Sequence, residues 1–592
     1  MNIKEIPFSY FGSYMSISYS DELGFTLKSL RGKSKKNMDV LRIIPTVNNM
    51  PVDYEFEANY FSILIKFNNG SISICFEGDS KIVFYGKGKN VGLKLDTLPI
   101  YNFEYNYLMG KKGSEYCVIN SYKNLTKFLV FSVNGKVGLS QNIFIDDCAS
   151  TNKANNTSII DVKSNSDNEF ICVIEDIPTH MKVPDYKEYN FETSLNSTKK
   201  LFDEYYLAQP KVDEKYKNSL LKASYINWSS FVKPQGYLKR YTILASNSTF
   251  LGAWSWDHCF NALALAGVND KLAFDQMAVL FDYQDEYGQI PGSLSDSTIR
   301  WNFTKPPIQG LFFSKMMKKI NFTKETLEKI YNYIEKQVLF YVKFKDSNMD
   351  GIFEYHHGND SGQDNSTIFK GAMVVDTPDL TAFIINAMDM LSKVAEKLNR
   401  NSEKEYWSNK ADELTKLFLN YFIVDDLPVA RETVTGEILS NNALLPLVSL
   451  VLGNRLPKYI RDKMIDLVTS ERYLTKWGIA TEAIDSDEYQ DDAYWRGPIW
   501  APTTLLFVEA LEECGENELA IDIAKRYCEL VDKNGFAENF NAITGEGLRD
   551  KSFTWTASTF IYLAAKVYEY NSQRINNIKY KIEYKLYSIL YY

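Results

Sequence analysis

The chain has 592 residues, 45% of them hydrophobic and 24% charged, a composition that fits an ordinary globular protein and excludes intrinsic disorder. Its net charge of −9 has no compensating basic block, which argues against nucleic acid or an anionic membrane as the main partner. The length exceeds what one hydrophobic core normally supports, so two domains are expected.

Seven cysteines (Cys75, Cys117, Cys148, Cys172, Cys259, Cys514 and Cys528) are scattered without a CxxC pair. They read as reduced thiols of a cytoplasmic protein, not as a disulfide framework or a zinc site. The opening MNIKEIPFSYFGSYM has no apolar stretch of signal-peptide length, and no run of about 18 apolar residues occurs, so no membrane span is expected.

From the start to residue 185 the apolar pattern is short and alternating. FTLKSL, VLRIIPTV, YFSILIKF, SISICFEG, KIVFYGKG, NFEYNYLMG, FLVFSVNG, NIFIDD and FICVIED are rich in β-branched and aromatic residues and predict about ten strands. Asn69-Gly70 and Asn134-Gly135 are turn signals, and YFSILIKF-NNG-SISICFE reads as a hairpin. Strands without intervening helices indicate an antiparallel β-sandwich over 1–185.

After Pro184 the period becomes helical. Residues 186–235 read as a linker and first helices, 236–570 as one large helical domain, and 571–592 as a tail with no assigned role. Leu327, Ile330, Tyr331, Ile334, Val338 and Val342 keep spacings of three and four. Leu380, Phe383, Ile384, Ala387, Leu391, Val394 and Leu398 do the same, behind Thr377 as a cap and Pro378 in the first turn. Further helices are expected near 197–208, 213–231, 257–267, 270–287, 404–420, 442–452, 457–470, 502–513, 517–532 and 554–569.

The unusual residues of this domain lie in loops between helices. GAWSWDHCFNALAL (252–265), YGQIPGSL (287–294) with KPPIQG (305–310), DDAYWRGPIWAP (491–502), and NGFAENFNAITGEG (534–547) with SFTWTAS (552–558) stand out. Taken singly, Asp257 is a helix cap, Gly-Gln-Ile-Pro-Gly a tight turn and Trp-Arg-Gly-Pro a helix entry. Together they place Trp254, Trp256, Trp495, Trp500 and Trp555 beside loop carboxylates. Flat apolar faces next to hydrogen-bonding groups suit sugars, whose C–H faces stack on indole.

GNDSGQDNST (358–367) has no apolar side chain and two aspartates, Asp360 and Asp364. Glycoside hydrolysis needs a protonated carboxylic acid for the leaving oxygen and a second, ionised carboxylate. Asp364 and Glu538, far apart in sequence, could supply the pair, with either in either part.

WSWDH (254–258), QIPG (289–292), KPP (305–307), SGQDNS (361–366), YWRGPIW (494–500), ENFN..TG (538–545) and FTWTA (553–557) occur in an order that resembles the clan of inverting glycosidases containing glycoside hydrolase family 63. The likeness spans about 235–570 and is nearest to bacterial members related to mannosylglycerate hydrolase, more distant to trehalases. It implies an (α/α)6 barrel, often preceded by a β-sandwich, and cleavage of an α-linked glucoside or mannoside with inversion. It further implies that Asp364 is the general acid, Glu538 the general base, and Asp257 a ligand of the sugar's hydroxyls. Trp254, Trp256, Gln289, Tyr494, Trp495, Arg496, Gly497, Trp500 and Trp555 fall on substrate-binding positions, Arg496 being half structural. Gln363 and Thr367-Ile368 depart from the pattern around the acid, which bears on substrate identity more than on the reaction.

On this mechanism Asp364 keeps its proton in an apolar pocket or beside the charge of Glu538, and Glu538 stays ionised. Inversion requires the carboxyl groups to stand roughly 6.5–9.5 Å apart. No cofactor is needed. DSNMDG (346–351) has the start of an EF-hand loop in Asp346, Asn348 and Asp350. Position twelve is His357 rather than Glu, so a polar turn is preferred to a calcium site. The four histidines (His180, His258, His356 and His357) make no metal constellation, and His356-His357 are expected to flank the pocket. The alternatives are a sugar phosphorylase, which would need basic residues facing Glu538, and a non-catalytic sugar-binding protein, which would lack a carboxylate.

Overall fold

Alternating side chains in the first part of the chain build two antiparallel eight-stranded sheets. A computed structural model describes residues 1–32, 38–101, 104–142, 157–177, 183–439 and 442–591. One sheet runs in the order Phe8–Ser9, Met15–Ser20, Gly24–Ser29, Asp39–Val47, Val91–Thr97, Thr157–Lys163 and Lys136–Asn142, with Met50–Pro51 paired on Asp39–Val47. The other runs Tyr105–Lys111, Ser114–Ser121, Thr126–Ser132, Glu169–Asp176, Lys81–Gly88, Gly70–Glu77, Ile63–Phe67 and Glu55–Ala58. Phe25, Leu27, Leu41, Ile43, Leu93 and Leu95 from the first sheet share one buried cluster with Ile63, Ile65, Ile72, Ile74 and Phe84 from the second. That is the sandwich-like core.

The second sheet buries its other face too, through Val83, Val118, Leu129, Phe131 and Val173 against Ile177 and Tyr189. Burial on both faces explains why KIVFYGKG reads as a continuous apolar run. The hairpin over Ile63–Phe67 and Gly70–Glu77 forms as expected, pairing Phe67 with Gly70. Its two-residue loop is Asn68-Asn69 rather than Asn69-Gly70, with Asn69 left-handed at φ 70°. The expected strand NIFIDD, Cys148 and His180 lie outside the described residues. The other six cysteines are free.

The chain divides into two compact units, one of 1–207, 225–252 and 295–298, the other of 208–224, 253–294 and 299–592. In the second, helix Asp257–Leu265 packs on Gln309–Met316, which packs on Pro378–Lys397. The 3-10 segment Leu445–Arg455, Ala501–Glu513 and Thr554–Tyr591 follow in turn, and the last returns to Asp257–Leu265. Asp270–Phe281, Asn401–Phe422, Lys458–Val468 and Asn517–Asn534 pack against members of that ring.

In helix Lys324–Phe344 the stripe from Leu327 to Val338 is buried, but Val342 is 46% exposed and Tyr341 takes its place in the core. Thr323 caps this helix by accepting the Thr326 N–H. The stripe of Pro378–Lys397 is buried throughout, whereas the Thr377 side chain makes no capping bond. Residues 445–455 are 3-10 and kinked at Gly453, φ 53°. Helix Gln309–Met316 was not expected, because Gln309, Gly310 and Lys315 are buried along with its apolar residues and leave no two-sided pattern to read. Helix Thr554–Tyr591 runs through the stretch that the sequence left without an element. No helix among the described residues is long and apolar enough to cross a membrane.

Candidate active site

The loops singled out in the sequence each lead into a helix of that ring. Asp257 opens Asp257–Leu265, Lys305 precedes Gln309–Met316, and the 358–367 loop lies ahead of Pro378–Lys397. Tyr494 to Trp500 lead into Ala501–Glu513, and Glu538 stands ahead of Thr554–Tyr591, which carries Trp555 in its first turn.

The 358–367 loop is folded tightly on itself. A Cβ on Gly358 would lie 2.1 Å from the Asp364 carbonyl oxygen, and one on Gly362 (φ +73°) would lie 2.7 Å from the Trp256 ring. Glycine is therefore required at both positions. Asp360 is structural: 3% exposed, it accepts the Thr304 N–H at 2.9 Å and the His356 N–H at 3.2 Å. It also pairs with the buried Lys345 at 3.5 Å. Asp364 is half-buried, and its Oδ1 accepts the Lys305 ammonium at 2.9 Å. Burial raises the Asp364 carboxyl above its ordinary range while Lys305 and then His357 pull it down, leaving a net rise.

Glu538 is 2% exposed, and its backbone N–H donates to the Asp550 carbonyl at 2.8 Å. Burial pushes its carboxyl up to about 7, with the Asp550 charge adding to the rise and Arg549 and the Tyr494 hydroxyl opposing it. Arg549 bonds Asn539 at 3.0 Å and Asp492 at 2.7 Å, and its guanidinium lies 5.1 Å from the centre of the Tyr494 ring. Asp257, 4% exposed, is the first helical residue rather than the cap. Burial pushes it up to about 7 against the pull of Lys305, and Asp364 adds to the rise. Tyr494 joins the set. Burial and then the charges of Glu538, Asp364 and Asp257 raise its phenol. Three carboxylates from three loops thus act on one phenol.

Of the two expected sources of the Asp364 rise, burial supplies it and the charge of Glu538 is not among its causes. The carboxyl stands beside an ammonium, and Glu538, expected to stay ionised, is itself shifted towards its protonated form. Lys305 and Arg549 went unassigned in the sequence. Lys305 lay in the quoted KPP segment, whereas nothing marked Arg549.

The tryptophans form a packed backing. Trp495 and Trp500, 1% and 0% exposed, stack on each other with ring centres 3.9 Å apart. Trp555 meets Trp500 edge-on at 5.4 Å and Trp256 at 5.8 Å. The Trp500 Nε1–H donates to the Tyr494 carbonyl and that of Trp555 to the Glu538 carbonyl. These indoles therefore hold the backbone of Tyr494 and Glu538. Trp254 is half-buried on a short strand paired with Ser293–Leu294. The Gly497 N–H donates to Thr481, and Arg496 Nε donates to the Asn365 carbonyl at 2.7 Å. Gln289 donates to the Trp301 carbonyl and, with Thr304, Lys345 and His356, lines a cleft of about 370 Å³. A larger cleft, about 560 Å³, lies where helices of the ring end and is lined by Lys315, Arg455, Asp389 and Glu509.

His258 Nδ1 lies 3.1 Å from the Trp254 carbonyl oxygen. At 346–351 the Asp346 carboxylate accepts the N–H groups of Asp350 and Gly351, and Asp350 that of Ile352. Among the described residues no three His, Cys, Asp or Glu side chains could hold a metal together.

Buried carboxylates gathered where helices begin, with indoles behind them, define the class: a glycoside hydrolase domain. The chain belongs to the mannosylglycerate hydrolase MGH1-like glycoside hydrolase domain family, whose model matches residues 251–556, just over half of its length. Mannosylglycerate hydrolase of Thermus thermophilus is 26% identical over 95 residues, 16% of this chain and 23% of that protein. A solved structure of the GH63 mannosylglycerate hydrolase from the same species, in complex with Tris, aligns at TM-score 0.51 and 17% identity over 58% of this chain and 99% of that one. Mannosylglycerate hydrolase MGH1 of Selaginella moellendorffii is 20% identical over 391 residues, 52% of this chain and 78% of that protein. A bacterial glucoamylase complexed with acarbose aligns at TM-score 0.62 and 12% identity over 96% of this chain and 94% of that one.

Proposed function

We propose that the protein hydrolyses an α-linked glucoside or mannoside with inversion, using Asp364 as general acid and Glu538 as general base. The observation that carries this reading is that the buried or half-buried carboxyls of Asp257, Asp364 and Glu538, from three loops ahead of the ring helices, all act electrostatically on the one phenol of Tyr494. The ring of helices is read as an (α/α)6 barrel with the pocket where its inner helices begin. Asp364 donates its proton to the leaving oxygen, and the ammonium of Lys305 stabilises the carboxylate left behind. Glu538, once ionised, takes a proton from the water that attacks the anomeric carbon from the opposite face. Asp257 binds sugar hydroxyls. The reaction needs no cofactor.

Relatives named as mannosylglycerate hydrolases, and a structural neighbour that is a glucoamylase complexed with acarbose, make glycosides with a small aglycone and short α-glucans the substrates to try first. Arg549 is a basic residue close to Glu538, the feature a phosphorylase would need, but it is already paired with Asp492. The test is a screen of α-glucosides and α-mannosides with and without inorganic phosphate, on wild type and Asp364→Asn. Turnover without phosphate that collapses in the variant supports the reading. Phosphate-dependent turnover, or a variant close to wild type, overturns it.

A further inference from the structure

We propose that Asn365 is a positioning residue that locks the acid-bearing loop to the loop of Tyr494 and so sets the placement of Asp364 relative to Glu538. The inference rests on the reading of Asp364 as acid and Glu538 as base. Asn365 follows the acid directly and uses its whole amide on one tripeptide. Its Oδ1 accepts the Trp495 N–H at 2.9 Å, and its Nδ2 donates to the Ala493 carbonyl at 2.9 Å. These two groups flank Tyr494, so one side chain spans both peptides around it. The Asn365 carbonyl meanwhile accepts Arg496 Nε at 2.7 Å.

The grip falls where the backbone is least ordinary. Tyr494 has φ 65°, a conformation that a bulky side chain adopts only when its surroundings impose it. Its carbonyl accepts the Trp500 Nε1–H, and that of Glu538 accepts the Nε1–H of Trp555, whose ring packs edge-on against Trp500 at 5.4 Å. Hydrogen bonds therefore tie Asp364, through Asn365, to both peptides around Tyr494, and the packed indoles Trp500 and Trp555 link that backbone to the backbone of Glu538. Of the short side chains only asparagine fits, because one planar group must both donate and accept. Aspartate would set a charge against the Ala493 carbonyl, and glutamine is one methylene too long.

Displacement of a general acid is felt in proportion to the leaving group's need for a proton. Methyl glycosides need it and glycosyl fluorides need it far less, since fluoride leaves without full protonation. The experiment compares wild type, Asn365→Ala and Arg496→Gln on the methyl α-glycoside and the α-glycosyl fluoride of whichever sugar wild type accepts. For Asn365→Ala, kcat on the methyl glycoside should fall about 100-fold, the cost of misplacing a catalytic group by roughly 1 Å. The fluoride should lose only a few-fold and KM should hardly move. Arg496→Gln should show the same leaving-group dependence more weakly. Equal losses on both substrates in both variants, or no loss in either, overturn the positioning role while leaving the glycosidase reading intact. A wild type that hydrolyses neither the methyl glycoside nor the fluoride of either sugar overturns both.

Discussion

The Lys305 ammonium stands 2.9 Å from the Asp364 carboxylate, with only 10% of the lysine side chain exposed. Its backbone is held by the Tyr341 hydroxyl at 3.1 Å and has the unusual φ of 54°. A cation at this place favours loss of the proton from Asp364, so it strengthens the acid and narrows the pH range in which it is protonated. His357 acts in the same sense.

Lys305→Met should therefore move the alkaline limb of kcat/KM, which reports the protonated acid, to higher pH. The rate at the optimum should fall, because the departing proton leaves an uncompensated carboxylate. A pH profile of the variant checks this. An alkaline limb that stays in place would mean that Lys305 only holds the loop.

The acid limb should lie near neutrality. In the proposed mechanism Glu538 must be ionised to act as base, and burial pushes its carboxyl up to about 7, so kcat/KM should decline as the pH drops below that value. The Tyr494 hydroxyl opposes this rise, and Tyr494→Phe should shift the limb further upward. Asp257, also near 7, titrates with Glu538, so the limb belongs to the coupled pair. An acid limb near pH 4 would contradict the reading.

The same shift predicts a stability gain on removing the charge. The folded-state value of Glu538 is about 7 against an ordinary 4.5, so the folded protein holds a proton that the unfolded chain releases between those values. Stability is thus lost as pH rises from 4.5 to 7 and stays lower above. Glu538→Gln should be inactive yet more stable at pH 8, by up to about 3 kcal/mol, with the difference gone near pH 4. Denaturant melts at the two pH values measure it.

Gly362→Ala tests the fold of the acid loop. Its φ of +73° and the 2.7 Å approach to Trp256 should together cost about 2–3 kcal/mol, read as a lower denaturation midpoint with reduced kcat.

How much of this was legible beforehand depended on whether one local rule governed each element. The alternation in SISICFEG and the stripe from Leu380 to Val394 follow single periods, and those elements are where they were expected. Helix Gln309–Met316 was missed because burial on every side erases the stripe. Val342 was placed inward because spacing alone cannot tell it from its neighbour Tyr341. At the site, Asp364 and Glu538 stood out as carboxylates in polar loops. Lys305 and Arg549 did not, since an isolated lysine or arginine is the most ordinary of surface residues until the fold sets it beside a carboxylate, buried for Lys305 and still exposed for Arg549. The indoles were read as pocket walls, but their mutual stacking depends on three loops meeting.

The most direct measurement is NMR of the first-formed sugar during hydrolysis of an α-glycoside, before mutarotation. With water delivered by Glu538 opposite the bond that Asp364 protonates, the β-anomer should appear first. An α-anomer at early times would mean retention and would contradict the account.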